Sequence, residues 1–299
     1  MSIDAQTIPP RSHFVELATG RFHYLSWGEE HAEYPPALLL HGITSSAQSW
    51  TRVGPALADR YRVYALDMRG HGDSMIPSAG NYSLRATACD VLAFCQKLQL
   101  RRPLLIGHSW GGATALAVAS GVFKTLGPAT PEFISTVETQ LADHATFAQI
   151  VLEDPACHMG ADDPFAHALR NTKDIGRPPA EVYQEVRASN PGWSEEDVAG
   201  KIEALQKVSR EAVINIYQEV NQAGSLLPLL AQLSAPTLLL RADPRQDYST
   251  FSDADWQLAR EMLQPPHRTL QIAGASHSMH RSRFAAFMQA VNEFVSPTA

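Results

Sequence analysis

The strongest chemical signal in this 299-residue chain is the pentapeptide Gly107-His108-Ser109-Trp110-Gly111. It follows an apolar run and opens an alanine-rich stretch, which puts the serine on a sharp strand-to-helix turn. Small residues two positions to either side let the two backbones approach and leave the hydroxyl exposed. A serine hydroxyl is a poor nucleophile near neutrality. It needs an imidazole to take its proton as the oxygen attacks a carbonyl, donors for the oxyanion that forms, and a carboxylate to orient the histidine and stabilise its charged form. The chain offers 12 histidines and 31 acidic residues for those parts.

Such a turn requires strands and helices in alternation, and the hydrophobic pattern supplies them. Residues 14–17 and 22–27 read as short strands joined by Thr19-Gly20, a hairpin. The run 37–40 is apolar without a break, as in a strand covered on both faces, and ends at His41-Gly42. Residues 46–59 have helical spacing with Trp50, Val53 and Leu57 on one face, and 61–66 is a second buried strand. A helix over 83–98 with Ser83 as N-cap, a strand at 103–106 and a helix over 109–120 continue the series. Further strands fall at 147–152, 236–240 and 267–272. A last helix near 281–295 turns Phe284, Phe287, Met288, Val291 and Phe294 inward. The expected class is α/β, a mostly parallel sheet of about eight strands with helices on both faces.

Between residues 155 and 228 no strand pattern appears. Helices are predicted at 179–189, 194–205 and 209–222, with Ser194-Glu195-Glu196-Asp197 as a capping box and Gly224 as a stop. The expected organisation is a core of residues 1–155 and 231–299 with a helical cap inserted at 156–230. Met159, Phe165, Tyr183, Trp193, Tyr217 and Leu226 are its candidates for substrate contact or cap core. An additional segment, 121–146, has a good helix start at Thr130-Pro131-Glu132.

Four motifs in register give the chain, from about residue 14 to 295, a resemblance to the α/β-hydrolase family: the serine pentapeptide, His41-Gly42-Ile43-Thr44 after the third strand, Asp67-Met68-Arg69-Gly70-His71-Gly72-Asp73-Ser74 after the fourth, and Ala273-Gly274-Ala275-Ser276-His277 after the last. The resemblance implies Ser109 as nucleophile and His277 as general base, with His280 a turn later as its rival. It implies an oxyanion hole from the backbone amides of Ile43 and Trp110. For the acid it points to Asp243, after the strand that usually carries it, although Ala242 stands where a glycine is common. Glu153 and Asp154, after the preceding strand, and Asp247 remain alternatives. Relatives that cleave haloalkanes and epoxides use aspartate at the nucleophile position; serine implies an acyl-enzyme.

Composition narrows the partners. With 44% hydrophobic and 18% charged residues the chain reads as an ordinary globular protein. A formal charge of −7 without a basic cluster argues against nucleic acid and anionic lipid. No signal-peptide or membrane-spanning pattern appears, which points to the cytoplasm. Cys89, Cys95 and Cys157 suit neither disulfides nor zinc and are expected as reduced core residues. No metal, cofactor or dinucleotide motif is present. The expected function is hydrolysis of a carboxylic ester or lactone, with a small uncharged or apolar acyl substrate and homo-oligomerisation left open. The same triad could cleave another bond, as in carbon–carbon hydrolases, amidases or haloperoxidase-like enzymes, and a catalytically weak binding receptor is the reading from another class.

Overall fold

A computed structural model describes residues 8–77, 81–127, 146–158, 164–246 and 249–296. Thr130, Pro131, Glu132, Met159 and Asp247, all singled out from sequence, lie outside the described residues. The opening hairpin pairs β1 (Arg11–Leu17) with β2 (Gly20–Trp27), Leu17 opposite Gly20. The other strands are β3 (Pro36–Leu40), β4 (Arg62–Leu66), β5 (Leu104–His108), β6 (Gln149–Glu153), β7 (Thr237–Arg241) and β8 (Arg268–Gln271). They form one sheet in the order β1-β2-β4-β3-β5-β6-β7-β8, antiparallel at β1/β2 and β2/β4 and parallel elsewhere. The eight strand positions read from apolar runs are those observed.

Side chains alternate across a strand, so each central strand feeds two cores. Leu38 and Leu40 of β3 pack with α2 (Leu84–Lys97) and α3 (Trp110–Ala119) on one face. Ala37 and Leu39 pack on the other with α1 (Val53–Leu57) and the C-terminal helix, whose Phe287, Val291 and Phe294 are buried. Every residue of β3, β5 and β7 is buried, as double coverage requires. The three cysteines are buried and unbridged.

Among the described residues four α-helices lie between β6 and β7: α4 (Pro164–Thr172), α5 (Pro179–Ser189), α6 (Glu195–Lys207) and α7 (Arg210–Gln222). Their apolar sides, including Val182, Val198, Ile202, Val213 and Ile216, join the core on the α2/α3 face. The Ser194/Asp197 capping box forms at α6. After β7 come α8 (Asp253–Met262), then, beyond β8, α9 (Met279–Ser282) and α10 (Phe284–Val295). Sequence periodicity missed α4 and α8. Both are short and expose much of their surface, and Ala259 is the one buried residue recorded in α8.

The turn after β4 is held by a buried ion pair. Arg69 Nε and Nη2 donate to the two carboxylate oxygens of Asp90 at 2.6 and 2.8 Å, and Arg69 Nη1 donates to Asn81 O at 2.5 Å. Removing one partner leaves an uncompensated buried charge. Arg69→Met should therefore lower unfolding free energy by about 3–5 kcal/mol in urea titration, and adding Asp90→Leu should recover part of the loss. A single variant as stable as the native chain would remove this pair from the account of the turn.

Candidate active site

In a parallel sheet the carboxyl ends of the strands lie along one edge, so the loops after β3, β5, β6 and β7 gather there. Ser109 follows β5 directly and caps α3 with φ 54 and ψ −116, a left-handed conformation costly for any residue with a Cβ. The surroundings enforce it. Ser109 N donates to Glu153 O at 3.0 Å, and Ser109 O accepts from Ala113 N at 2.9 Å and Ala156 N at 3.0 Å. A Cβ on Gly107 would strike Gly111 O, and one on Gly111 would strike the carbonyls of Leu40 and His41. Glycine at both positions is what lets strand, turn and helix close on each other.

His277 arrives from the loop after β8. Its Nδ1 donates to Asp154 Oδ2 at 2.6 Å. An ionised carboxylate can only accept, so this contact puts the ring proton on Nδ1 and leaves Nε2 able to receive one. Asp154 is fully buried, and its carboxylate also accepts from Thr250 N at 3.1 Å, Ser249 Oγ at 3.0 Å and Ala242 N at 3.4 Å. Ser109 and His277 line one cavity of about 400 Å³, together with Ile43, His108 and Thr250.

Asp243, the acid expected after β7, is not on the histidine. Arg245 takes it: the Nε and amide of Arg245 donate to Asp243 Oδ1 at 3.0 and 3.1 Å, and its Nη2 to Oδ2 at 2.9 Å. Gly274 N donates to Oδ2 at 2.9 Å. Arg245 first, then these amides, hold the Asp243 carboxyl well below the usual carboxylate range. Asp243 thus braces the start of the His277 loop from one side, while Asp154, at the end of the adjoining strand and with φ 40, turns its carboxylate onto the imidazole.

A second buried pair stands next to the first. Glu153 accepts from His280 Nδ1 at 2.8 and 2.9 Å and from His280 N at 2.9 Å. His280 stacks on Trp50 with ring centroids 4.5 Å apart, and it is not among the described residues lining the cavity. His280 and Glu153 therefore tie α9 to the sheet. His108, an unremarked position inside the serine pentapeptide, donates from Nε2 to His277 O at 3.1 Å. Burial, with His277, His280 and Arg281 close by, keeps the His108 pKa well below that of a free imidazole, so it is a neutral donor positioning the His277 backbone.

The loop after β3 is shaped by two more neutral histidines. His41 Nε2 accepts from Met68 N at 3.0 Å and its Nδ1 donates to Gly42 O at 2.8 Å; His71 Nε2 accepts from Thr44 N at 3.3 Å. Burial lowers both, His71 to about 3. Among the described residues no acceptor takes the amide of Ile43 or of Trp110. The Trp110 N–H belongs to the first turn of α3, where amides have no partner within the helix. Its side chain is fully buried in the core, whereas Ile43 reaches the cavity.

Of the aromatic and apolar residues singled out between β6 and β7, Trp193 and Tyr217 line the cavity. Leu226 is core, Phe165 is 56% exposed, and Tyr183 donates its hydroxyl to Glu195. Among the described residues, His23, Asp67 and Asp73 place potential metal-ligand atoms within 4.8 Å of one another. The Asp67 carboxylate already accepts from His23 Nδ1 at 2.7 Å, Ala47 N at 2.6 Å and Asp73 N at 3.0 Å, a knot that ties the loops after β3 and β4. No helix among the described residues is long and apolar enough to cross a membrane.

A family model described as "Alpha/beta hydrolase family" matches residues 37–290. The "Magnesium-chelatase 30 kDa subunit" of Rhodobacter capsulatus is 41% identical over 88 residues, 29% of this chain and 31% of that protein. In three of the curated relatives the matched stretch is 16–36% of the relative's length. "Epoxide hydrolase A" of Mycobacterium tuberculosis (strain ATCC 25618 / H37Rv) is 24% identical, covering 96% of this chain and 98% of that protein. The solved structure of "E-2-(Acetamidomethylene)succinate Hydrolase" superposes with a TM-score of 0.74 at 18% identity, covering 96% and 99% of the two chains, a likeness of fold.

Proposed function

The chain belongs to the α/β-hydrolase family, and from that premise we propose that it hydrolyses a carboxylic ester or lactone through an acyl-enzyme on Ser109. The observation that carries this reading is the 2.6 Å contact between His277 Nδ1 and the buried Asp154 carboxylate, at a cavity that Ser109 shares. In the proposed sequence His277 Nε2 takes the Ser109 proton as the oxygen attacks the carbonyl. The Asp154 carboxylate stabilises the imidazolium that results. The amides of Ile43 and Trp110 receive the oxyanion, each such donor contributing a factor of about 10²–10³ in rate. The imidazolium then protonates the leaving alcohol, and a water activated by the same ring releases the acid. We read residues 156–230 as a cap insertion over this site, since Arg170, Asn171, Trp193, Lys201 and Tyr217 line the cavity from that stretch.

Several relatives, Epoxide hydrolase A among them, are named epoxide hydrolases, and the nucleophile supports acyl transfer instead. A carboxylate that opens an epoxide leaves an ester, which water can cleave. A serine oxygen would leave an ether, which it cannot. The test is to incubate the protein with a short-chain p-nitrophenyl ester, a fluorophosphonate and styrene oxide. Ester turnover with the phosphonate mapped to the Ser109 peptide is the expected result; diol formation from the oxide without labelling would overturn the proposal.

A further inference from the structure

The cavity carries more positive charge than acyl transfer needs. Lys201 of α6 and Arg281 of α9 line it, and Arg170 of α4 does so from a more exposed position. Lys201 Nζ donates to the carbonyl and hydroxyl of Thr44 at 2.8 and 2.6 Å, and Arg281 Nη2 donates to Ser45 Oγ at 3.2 Å. The two cations thus converge on consecutive residues of the loop after β3, beside Ile43. An ammonium has three donors, and two of these are committed to Thr44.

Neutralising groups are scarce. No carboxylate lines the cavity among the described residues. Asp154 and Glu153 serve His277 and His280. Asp197 accepts from Arg52 Nη1 at 3.2 Å and from Ser194, and comes only within 4.0 Å of Arg281 Nε. Arg281 is 4% exposed, its Nε has no hydrogen-bond acceptor, and its guanidinium lies 4.4 Å from the centre of the Trp193 ring, another lining residue. Burial pushes the Lys201 pKa down to about 7, with the Arg281 charge adding to it and Asp174 opposing it, and burial pushes Arg281 to about 10 against the pull of Asp197 and Glu153. An anion placed between the two would offset these penalties and favour the charged form of Lys201.

In place of the uncharged substrate expected from sequence, the geometry points to an acyl substrate that carries a carboxylate, held by Lys201 and Arg281 on the Thr44 side of the cavity. As an assignment of substrate class it rests on Ser109 as the acyl-transfer nucleophile; as a binding site it does not.

Monomethyl and dimethyl glutarate differ by one methyl group and one charge. Followed by proton release, the monoester should have the higher kcat/KM by about 10-fold or more, expressed mainly in KM. Lys201→Met should reduce the monoester-to-diester ratio about 10- to 100-fold, and Lys201→Arg should keep it. Calorimetric titration of Ser109→Ala with monomethyl glutarate reads the same site without turnover, and binding should weaken when Lys201→Met is added. Binding that depends on Lys201 with no hydrolysis of either ester would support the anion site and overturn the role of Ser109. Hydrolysis of the diester with no binding or turnover of the monoester would overturn the anion site and leave Ser109 in place. A monoester-to-diester ratio equal in native and Lys201→Met proteins would also overturn it.

Discussion

Ser109→Ala should lower kcat on any ester the native protein hydrolyses by about 10⁴- to 10⁶-fold, with KM changed little. The oxyanion donors and the cavity remain, so a residual rate of about 10³ over water is expected. The loss would not reflect unfolding. Alanine carries the same Cβ into the φ 54 conformation, and the backbone bonds to Glu153, Ala113 and Ala156 do not involve the hydroxyl. Steady-state rates together with urea midpoints check both halves. A variant that kept more than about 1% of native kcat would leave the nucleophile to be sought elsewhere.

The second large effect separates two carboxylates that compete in the sequence. Asp154→Asn keeps the side-chain shape but can present an N–H to His277 Nδ1, favouring the wrong tautomer, and kcat should fall about 10⁴-fold. Asp243→Asn weakens a pair with Arg245, whose side chain is 78% exposed, so kcat should change by no more than about 5-fold. Measured side by side on one substrate, the two variants assign the acid. If Asp243→Asn were the crippled protein, the Asp154 contact would have to be read as architecture only.

The difference between those residues shows where a sequence stops being informative. The strands were legible because each is a run of aliphatic residues bounded by turn formers, and the serine turn was legible because its five residues follow such a run immediately. The acid was not. Asp154 and Asp243 end neighbouring strands, and both reach the His277 loop. What separates them is the φ of 40 at Asp154, donors that arrive from residues 242, 249 and 250, and an arginine two positions beyond Asp243. The backbone angle and the distant donors leave no local signature, and the nearby arginine by itself does not say which carboxylate meets the histidine. Helices α4 and α8 did leave signatures that periodicity ignores: Pro164 at the first position of one, and Ser252 with Asp255 as the cap of the other. Lys201 and Arg281 are separated by 80 positions, and only the folded chain brings them to adjacent loop residues.

The cavity has walls from two parts of the chain. Ile43, Ser109 and His277, proposed to take part in bond cleavage, line it from the sheet edge, whereas Arg170, Asn171, Trp193, Lys201 and Tyr217 enter from the stretch between β6 and β7. The pairing of β6 with β7 on either side of that stretch is made by the strands themselves. Substitutions in that one span, together with Arg281 of α9, can therefore change what the cavity accepts while the proposed cutting machinery stays as it is.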